Sequence, residues 1–298
     1  MGLIFESLYV INQGVKTQID GGSPFAFLGH DGLGMPNINR FSQQGAQQHG
    51  HSDNGYRLKA REFSLLFQIE SADAIEMWNY RTELLGYFAP YQNPIVEFNL
   101  LNGEQRRIDC HIVGDMRMGD KDQRRFYQRL AIMLQGPEPS FYDPTAEVLN
   151  FNLGGGADAF DVPTPVPTEV GASTIDQTST INYAGTWLSY PTIRITGPIT
   201  DAVVTNLATD EKLDFDGITI AAGDYYDIDT RYGYKTVVAK NGTNKIADLT
   251  SDSDLATFHI QPASAEAPNG DNSIRVEGSS IDANTEVIVT YFVRYLGI

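Results

Sequence analysis

From residue 183 onward the sequence consists of short β-type runs separated by turn signals, and no stretch has helical periodicity. Turn dipeptides such as Asp216-Gly217 and Asn241-Gly242 favour the tight connections of antiparallel hairpins. The pattern predicts an antiparallel β-sandwich over residues 183–298. The runs that carry this prediction cover residues 192–196, 203–206, 213–215, 218–220, 225–229, 235–239, 257–260, 273–277 and 287–295.

Residues 1–145 are predicted to form a separate, mainly β domain. Apolar residues alternate from Phe63 to Ile69, which is typical of a strand with one buried face. Asn102-Gly103 predicts a hairpin between residues 95–101 and 105–112, because this dipeptide suits a type I′ turn.

One helix is predicted in this domain, capped by Ser71 or Asp73 and ended near Gly86 before Pro90. Its apolar residues fall near helical spacing on one side, the pattern of an amphipathic helix. These residues are Ala74, Ile75, Trp78 and Leu85.

Two stretches interrupt the β pattern. Residues 29–55 are rich in Gly, Asn and Gln and are predicted to form a long loop, which is usually functional or ordered by a partner. Residues 146–182 are predicted to form a linker or extended arm, because residues 154–180 are rich in Gly, Pro, Ser and Thr.

Charge is divided unevenly between the two halves of the chain, whose total is −17. Residues 1–140 have 13 Lys and Arg against 16 Asp and Glu, and residues 141–298 have 8 against 22. The acidic second half repels phosphate backbones, so nucleic acid is a poor candidate partner for it. No apolar run approaches the ~20 residues that cross a bilayer, so we expect no membrane partner.

Motifs of common enzymes are not found in the sequence, which has no Gly-x-Ser-x-Gly, P-loop or His-Glu-x-x-His. His49 and His51 lack an evident third ligand, so we expect no metal. The single cysteine, Cys110, excludes an intrachain disulfide and is expected in the core. We expect no cofactor and no enzymatic activity.

Several motifs taken together resemble the distal tail protein (Dit) family of long-tailed bacteriophages, the siphoviruses. They occur in order along nearly the whole chain. The motifs are GMP at 34–36, QGAQQHG at 44–50, GYRL at 55–58 with Arg61, GPEPSFYDP at 136–144, YPTIRITGP at 190–198, DIDT at 227–230 and YFVRYLGI at 291–298.

The resemblance implies a structural protein of the tail tip, or baseplate, at the distal end of the tail of a virion made in the host cytoplasm. The N-terminal domain would close into a homo-hexameric ring, and a galectin-like sandwich would project outward. The ring would join the tail tube protein to the tail-tip hub protein, carry receptor-binding proteins, and let DNA pass its channel without specific binding.

Within that interpretation the long loop becomes ordered across a neighbouring subunit. The ring-interface candidates are Gln44, Gln47, Gln48, His49, Tyr56, Arg57 and Arg61. The arginines near Arg106 and Arg124 are expected at the ring contact, along the channel, or on a solvated strand face.

Two alternatives compete with a structural role. A carbohydrate-binding adhesin would hold a sugar in its sandwich through Trp187, Tyr225 or Tyr226. A glycan hydrolase would need two carboxylates at a defined separation, which the sequence does not establish.

Overall fold

The computed structural model describes residues 5–22, 24–114, 116, 118, 123–124, 127–152 and 174–298. The chain divides into two compact units, the first comprising Met1–Pro144 with Tyr295–Ile298 and the second Thr145–Arg294. Strands dominate the described residues of both units, and one α-helix occurs among them. The predicted mainly β fold with one helix is therefore confirmed.

The first unit contains two sheets around a shared core and a separate hairpin. Its helix is α1 (Ala74–Tyr87). Its strands are β1 (Phe5–Asn12), β2 (Val15–Gln18), β3 (Phe25–Asp31), β4 (Ile38–Gln43), β5 (Ser52–Leu58), β6 (Arg61–Glu70), β7 (Ile95–Leu100), β8 (Gln105–Asp109), β9 (His111–Ile112), β10 (Gln123–Arg124), β11 (Tyr127–Gly136) and β12 (Phe141–Tyr142).

Antiparallel pairing accounts for the order of these strands. One sheet runs β2-β1-β7-β8-β12, and the other runs β10-β11-β6-β3 with β9 also on β11. β6 and β11 pair along their full length, from Arg61 opposite Gly136 to Glu70 opposite Tyr127. The predicted alternation of β6 is confirmed, since its apolar positions point into the core. The Asn102-Gly103 hairpin is also confirmed as β7–β8.

Helix α1 packs against the core with a different side from the one that carries Ile75, Trp78 and Leu85. Asp73 caps it by accepting hydrogen bonds from the backbone N–H groups of Ile75 and Glu76, both at 2.8 Å. Met77 and Leu84 are the buried residues, while Trp78 is 67% exposed. The apolar spacing noted in the sequence therefore does not mark the packing side, because the helix is apolar on two sides about a third of a turn apart.

The second unit consists of two five-stranded antiparallel sheets around one core. The sheets run β13-β22-β15-β19-β20 and β14-β21-β16-β17, with β18 also on β16. The strands, numbered onward, are β13 (Glu147–Asn152), β14 (Ile175–Asn182), β15 (Thr192–Thr196), β16 (Ile199–Asn206), β17 (Glu211–Asp214), β18 (Thr219–Ile220), β19 (Tyr225–Asp229), β20 (Thr236–Ala239), β21 (Asp271–Ser279) and β22 (Glu286–Tyr291). The last strand of the chain, β23 (Arg294–Tyr295), is not part of these two sheets.

Two features differ from the predicted domain boundaries. β13 and β14 lie inside the range 146–182 that we assigned to a linker, and each pairs along its whole length with a strand of the sandwich. Residues 153–173, the middle of that range, lie outside the described residues. At the other end, β23 joins β12 in the first sheet, so that Tyr295–Ile298 belongs to the first unit.

No helix among the described residues has the length and hydrophobicity needed to span a bilayer.

Candidate assembly surface

The β4–β5 hairpin, residues 37–59, is the longest exposed stretch among the described residues of the first unit. Lys59 N–H donates to the carbonyl of Asn37 at 2.8 Å and closes its base. Except for half-buried Leu58, every residue of the hairpin is exposed. The predicted long loop at 29–55 was therefore wrong where β3, β4 and β5 occupy it, and residues 32–37 and 44–51 lie outside the strands. Neither face of β4 and β5 is buried, so they carry no polar–apolar alternation that would reveal them.

Each face of the hairpin carries an aromatic ring next to an arginine. The Arg40 guanidinium lies 5.9 Å from the ring centroid of Tyr56, on the directly opposite residue of β5. On the other face, the Arg57 guanidinium lies 5.7 Å from the ring centroid of Phe41. Arg40 also forms an ion pair with Asp53 at 2.9 Å. Each face of the hairpin therefore presents an aromatic ring and a positive charge to solvent.

The glutamines at the tip organise the loop between the two strands. The Gln48 side chain accepts a hydrogen bond from Gly45 N–H at 3.0 Å and donates to Ser52 Oγ at 3.0 Å. Gln44 Nε2 donates to the Gln48 carbonyl at 3.2 Å. Gln47 and His49 are exposed beside them. The structure brings the predicted ring-interface residues together in one hairpin, with the exception of Arg61.

Arg61 is not a surface residue, and its assignment to a subunit interface was wrong. It is 1% exposed, and its guanidinium donates to four backbone carbonyls. The acceptors are the carbonyls of Pro139 at 2.6 Å, Gly32 at 3.0 Å, Gly34, and Leu296 at 2.5 Å. The guanidinium also stacks 4.5 Å from the ring centroid of Phe141. Burial lowers the pKa of Arg61 to about 10.

The arginines expected at a ring contact, along the channel or on a solvated strand face have partners within the first unit wherever the structure describes their side chains. Arg106 is buried and pairs with Glu104 at 2.5 Å and Asp143 at 2.7 Å, with the ring of Tyr295 against its guanidinium. Arg107 pairs at 2.8 Å with Glu97, whose carboxylate is fully buried. The side chain of Arg124 lies outside the described part of the structure.

The aromatic residues proposed to bind sugar do not form one platform in the second unit. Tyr226 is 6% exposed, and its hydroxyl donates to Asp248 at 2.7 Å, so that assignment was wrong. Tyr225 lies under the Arg194 guanidinium, 4.3 Å from the ring centroid. Trp187 is half-buried and bridges to Arg294.

A groove crosses the outer face of the β13-β22-β15-β19-β20 sheet and has a volume of 470 Å³. Arg194 and Asp227 form a two-point ion pair within it, with distances of 2.6 and 2.8 Å. The remaining lining residues are Thr192, Ile193, Ile228, Asp229, Thr236, Val238, Ile288 and Thr290. Within the described residues, no three His, Cys, Asp or Glu side chains converge as metal ligands do.

The overall fold matches that of a phage protein of known structure. The crystal structure of the Dit protein of phage SPP1, described as a paradigm of the hub adsorption apparatus of phages that infect Gram-positive bacteria, superimposes with a TM-score of 0.62 at 13% sequence identity. The match covers 97% of this chain and 99% of that one. The resemblance inferred from the sequence motifs is thereby confirmed at the level of the fold.

Two further matches are to the baseplate of phage p2 in its activated conformation. The structure with Sr has a TM-score of 0.49 at 12% identity, and the structure with Ca has 0.48 at 13%; each covers 95% of this chain and 97% of the other. No family model matches the sequence. No curated protein matches it.

Proposed function

We propose that this protein is a structural component of a bacteriophage tail tip, and that copies of its first unit close into a ring. The observation that carries the proposal is the β4–β5 hairpin, which exposes both faces along residues 37–59 on a chain with the SPP1 Dit fold. An isolated two-stranded hairpin is only marginally stable in water, so a neighbouring molecule would stabilise it.

The exposed apolar side chains at the hairpin support the same proposal. Met35, Ile38, Phe41 and Tyr56 are each at least 40% exposed and lie close together in sequence or register. Clustered exposed apolar residues mark protein–protein contacts more often than scattered ones do. Gln47, His49 and Arg57 would then line the rim of this contact.

The partners follow from the position that a Dit-like ring would occupy. We assign to this protein a hexameric ring at the distal end of the tail, between the tail tube protein and the tail-tip hub, with DNA passing through its centre. Receptor-binding proteins would attach to the second unit, proposed to be galectin-like. The protein would act without catalysis or cofactor.

Light scattering at increasing protein concentration tests the proposal. We expect the wild-type protein to reach the mass of a closed oligomer. A double variant, Phe41→Ser with Tyr56→Ser, should remain monomeric, because it removes the two exposed aromatic rings of the hairpin. Tyr232→Ser, on an exposed residue of the second unit, is the matched control and should behave as wild type. Monomeric wild-type protein at all concentrations would overturn the proposal.

A second candidate function, saccharide binding, is favoured by the groove beside Arg194. Its volume lies in the range of small-ligand sites, and an arginine–aspartate pair flanked by threonines presents donors and acceptors suited to sugar hydroxyls. A glycan array tests this function with wild-type protein and Asp227→Ala. Binding that the substitution abolishes supports it, and an empty array contradicts it.

A further inference from the structure

The outer side of helix α1 carries an apolar stripe that is open to solvent. Ile75 is 74% exposed, Trp78 is 67% exposed, and Leu85 is also exposed. At 3.6 residues per turn these three share one side of the helix, about a third of a turn from the side of the buried Met77 and Leu84. Tryptophan is enriched among the residues that contribute most to protein interfaces. The stripe therefore has the composition of a contact surface.

Charged residues lie on both sides of the stripe. Helical geometry places Glu76 and Glu83 on one side and Arg81 on the other, where its guanidinium lies 5.8 Å from the ring centroid of Trp78. With the N-cap Asp73, residues 71–88 have three acidic side chains and one basic one.

The hairpin has the opposite charge balance. Arg40, Arg57 and Lys59 are basic, and Asp53 is its one acidic residue. The stripe and the hairpin are thus complementary in charge, and both expose aromatic rings.

We infer that the β4–β5 hairpin of one copy packs across the outer stripe of α1 on the adjacent copy. The inference rests on the ring proposed above and names the surface that receives the hairpin. A cyclic ring needs a heterologous contact, in which each copy presents two different surfaces that fit each other. The hairpin and the stripe are two such surfaces on one unit.

Within each copy, strand β6 separates the hairpin from the α1 stripe. The hairpin joins β6 at Arg61 and α1 follows it after Glu70, so they attach at opposite ends of a ten-residue strand. Such a strand spans about 33 Å. The six residues of β4 extend over about 20 Å, and the stripe from Ile75 to Leu85 covers about 15 Å, so one hairpin is long enough to cross it.

Disulfide trapping between copies tests the contact. Ser42→Cys on the hairpin and Asn79→Cys beside the stripe replace exposed polar residues. The native Cys110 is buried, and burial with the neighbouring Asp109 raises its thiol pKa, so it does not react in the folded protein. Equal amounts of the two single variants, mixed and oxidised, should give a covalent heterodimer. The double variant should give a ladder of higher oligomers.

A matched pair controls for random collision. In the control mixture, Val15→Cys, at an exposed residue of β2, is used in place of Asn79→Cys. It should cross-link to Ser42→Cys at least severalfold less than Asn79→Cys does. A closed oligomer in light scattering whose Ser42–Asn79 cross-linking does not exceed this control would overturn the inference and leave the ring intact. A monomer that still forms the heterodimer would support the contact and contradict the ring. A monomer without the heterodimer would contradict both.

Charge reversal gives an independent test. Glu83→Arg and Arg57→Glu should each lower the oligomer fraction severalfold at fixed concentration, because each places like charges in contact. Combining them restores opposite charges and should recover most of the loss. Recovery supports the pairing of the two surfaces, and additive losses contradict it.

Discussion

The guanidinium of Arg61 donates a 2.5 Å hydrogen bond to the carbonyl of Leu296, which lies 235 residues later in the chain. The same side chain binds the carbonyls of Gly32 and Gly34, immediately before the β4–β5 hairpin. Ile298 N–H donates in turn to the carbonyl of Leu33 at 3.2 Å. The last residues of the chain are therefore bound to the base of the hairpin that we assign to assembly.

Replacing Arg61 should destabilise the first unit strongly. Arg61→Ala leaves four carbonyls without their donor, and we expect a loss of about 3 kcal/mol or more in the free energy of unfolding. Arg61→Lys should recover only part of this, because one ammonium does not reach acceptors on all sides of a planar guanidinium. Urea unfolding, followed by Trp78 fluorescence in a Trp187→Phe background, measures the change. Arg57→Ala, on the exposed hairpin, should cost within about 0.5 kcal/mol, and equal losses for the two alanine variants would contradict the account.

Removing Tyr295–Ile298 should loosen the base of the hairpin. The deletion takes away the Leu296 acceptor and the Ile298 donor, so local opening near Leu33 becomes less costly. We expect trypsin to cut after Arg57 severalfold faster than in the wild type, as measured by mass spectrometry of timed digests. Tyr295→Phe removes only the 3.2 Å hydrogen bond to Asp143 and should leave the cleavage rate nearly unchanged. An unaltered cleavage rate in the deletion variant would show that residues Tyr295–Ile298 do not restrain the hairpin.

Truncating two neighbouring residues of α1, Met77 and Trp78, should affect different properties: the first stability, and the second assembly. Met77→Ala creates a cavity in the core and should cost about 3 kcal/mol of stability. Trp78→Ala removes an exposed ring, so stability should change by about 0.5 kcal/mol or less while the oligomer fraction falls. Urea unfolding by circular dichroism and light scattering measure the two effects. A large loss of stability in Trp78→Ala would mean that the Trp78 side of the helix, rather than the Met77 side, packs against the core.

The second unit should become less stable as the pH rises through neutrality. Burial acts to lower the pKa of His259, but its hydrogen bonds with Glu211 and Gln261 outweigh this and raise the pKa above its ordinary value. The charged histidine therefore contributes stability in full below pH ~6.5, and the contribution disappears as the pH passes the raised pKa. Glu211, whose pKa is lowered by the same pairing against the opposing effect of burial, stays ionised over this range.

Urea unfolding at pH 6 and pH 8 measures this dependence, with Trp187 as the fluorescence probe in a Trp78→Phe background. The stability difference between the wild type and His259→Gln should be larger at pH 6 than at pH 8. A difference that does not vary with pH would mean that the ion pair with Glu211 contributes nothing.

A strand could be predicted from the sequence where one of its faces is buried, because burial leaves an alternating apolar pattern. β6 was predicted from its alternation because its apolar face enters the core, and the β7–β8 hairpin from Asn102-Gly103. The β4–β5 hairpin was missed because both of its faces are exposed. Arg61 was assigned to the surface because its acceptors, including the Leu296 carbonyl, are backbone groups that only the tertiary fold brings together.

The candidate site was predicted in part for the same reason. Gln44, Gln47, Gln48, His49, Tyr56 and Arg57 were recognised through motif resemblance, and they do share one hairpin. The spacing of the Trp78 stripe was noted in the sequence but not its role, since apolar spacing on a helix does not distinguish a packed side from a docking side. Tyr226 was misassigned because an alternating strand exposes one tyrosine of the pair 225–226 and buries the other.

Negative-stain electron microscopy of the purified protein tests the central claim most directly. We predict ring-shaped particles with an open centre and sixfold class averages, which should be lost in the double variant Phe41→Ser with Tyr56→Ser. Particles of single-copy size in the wild type, across the concentrations at which light scattering is performed, would contradict it.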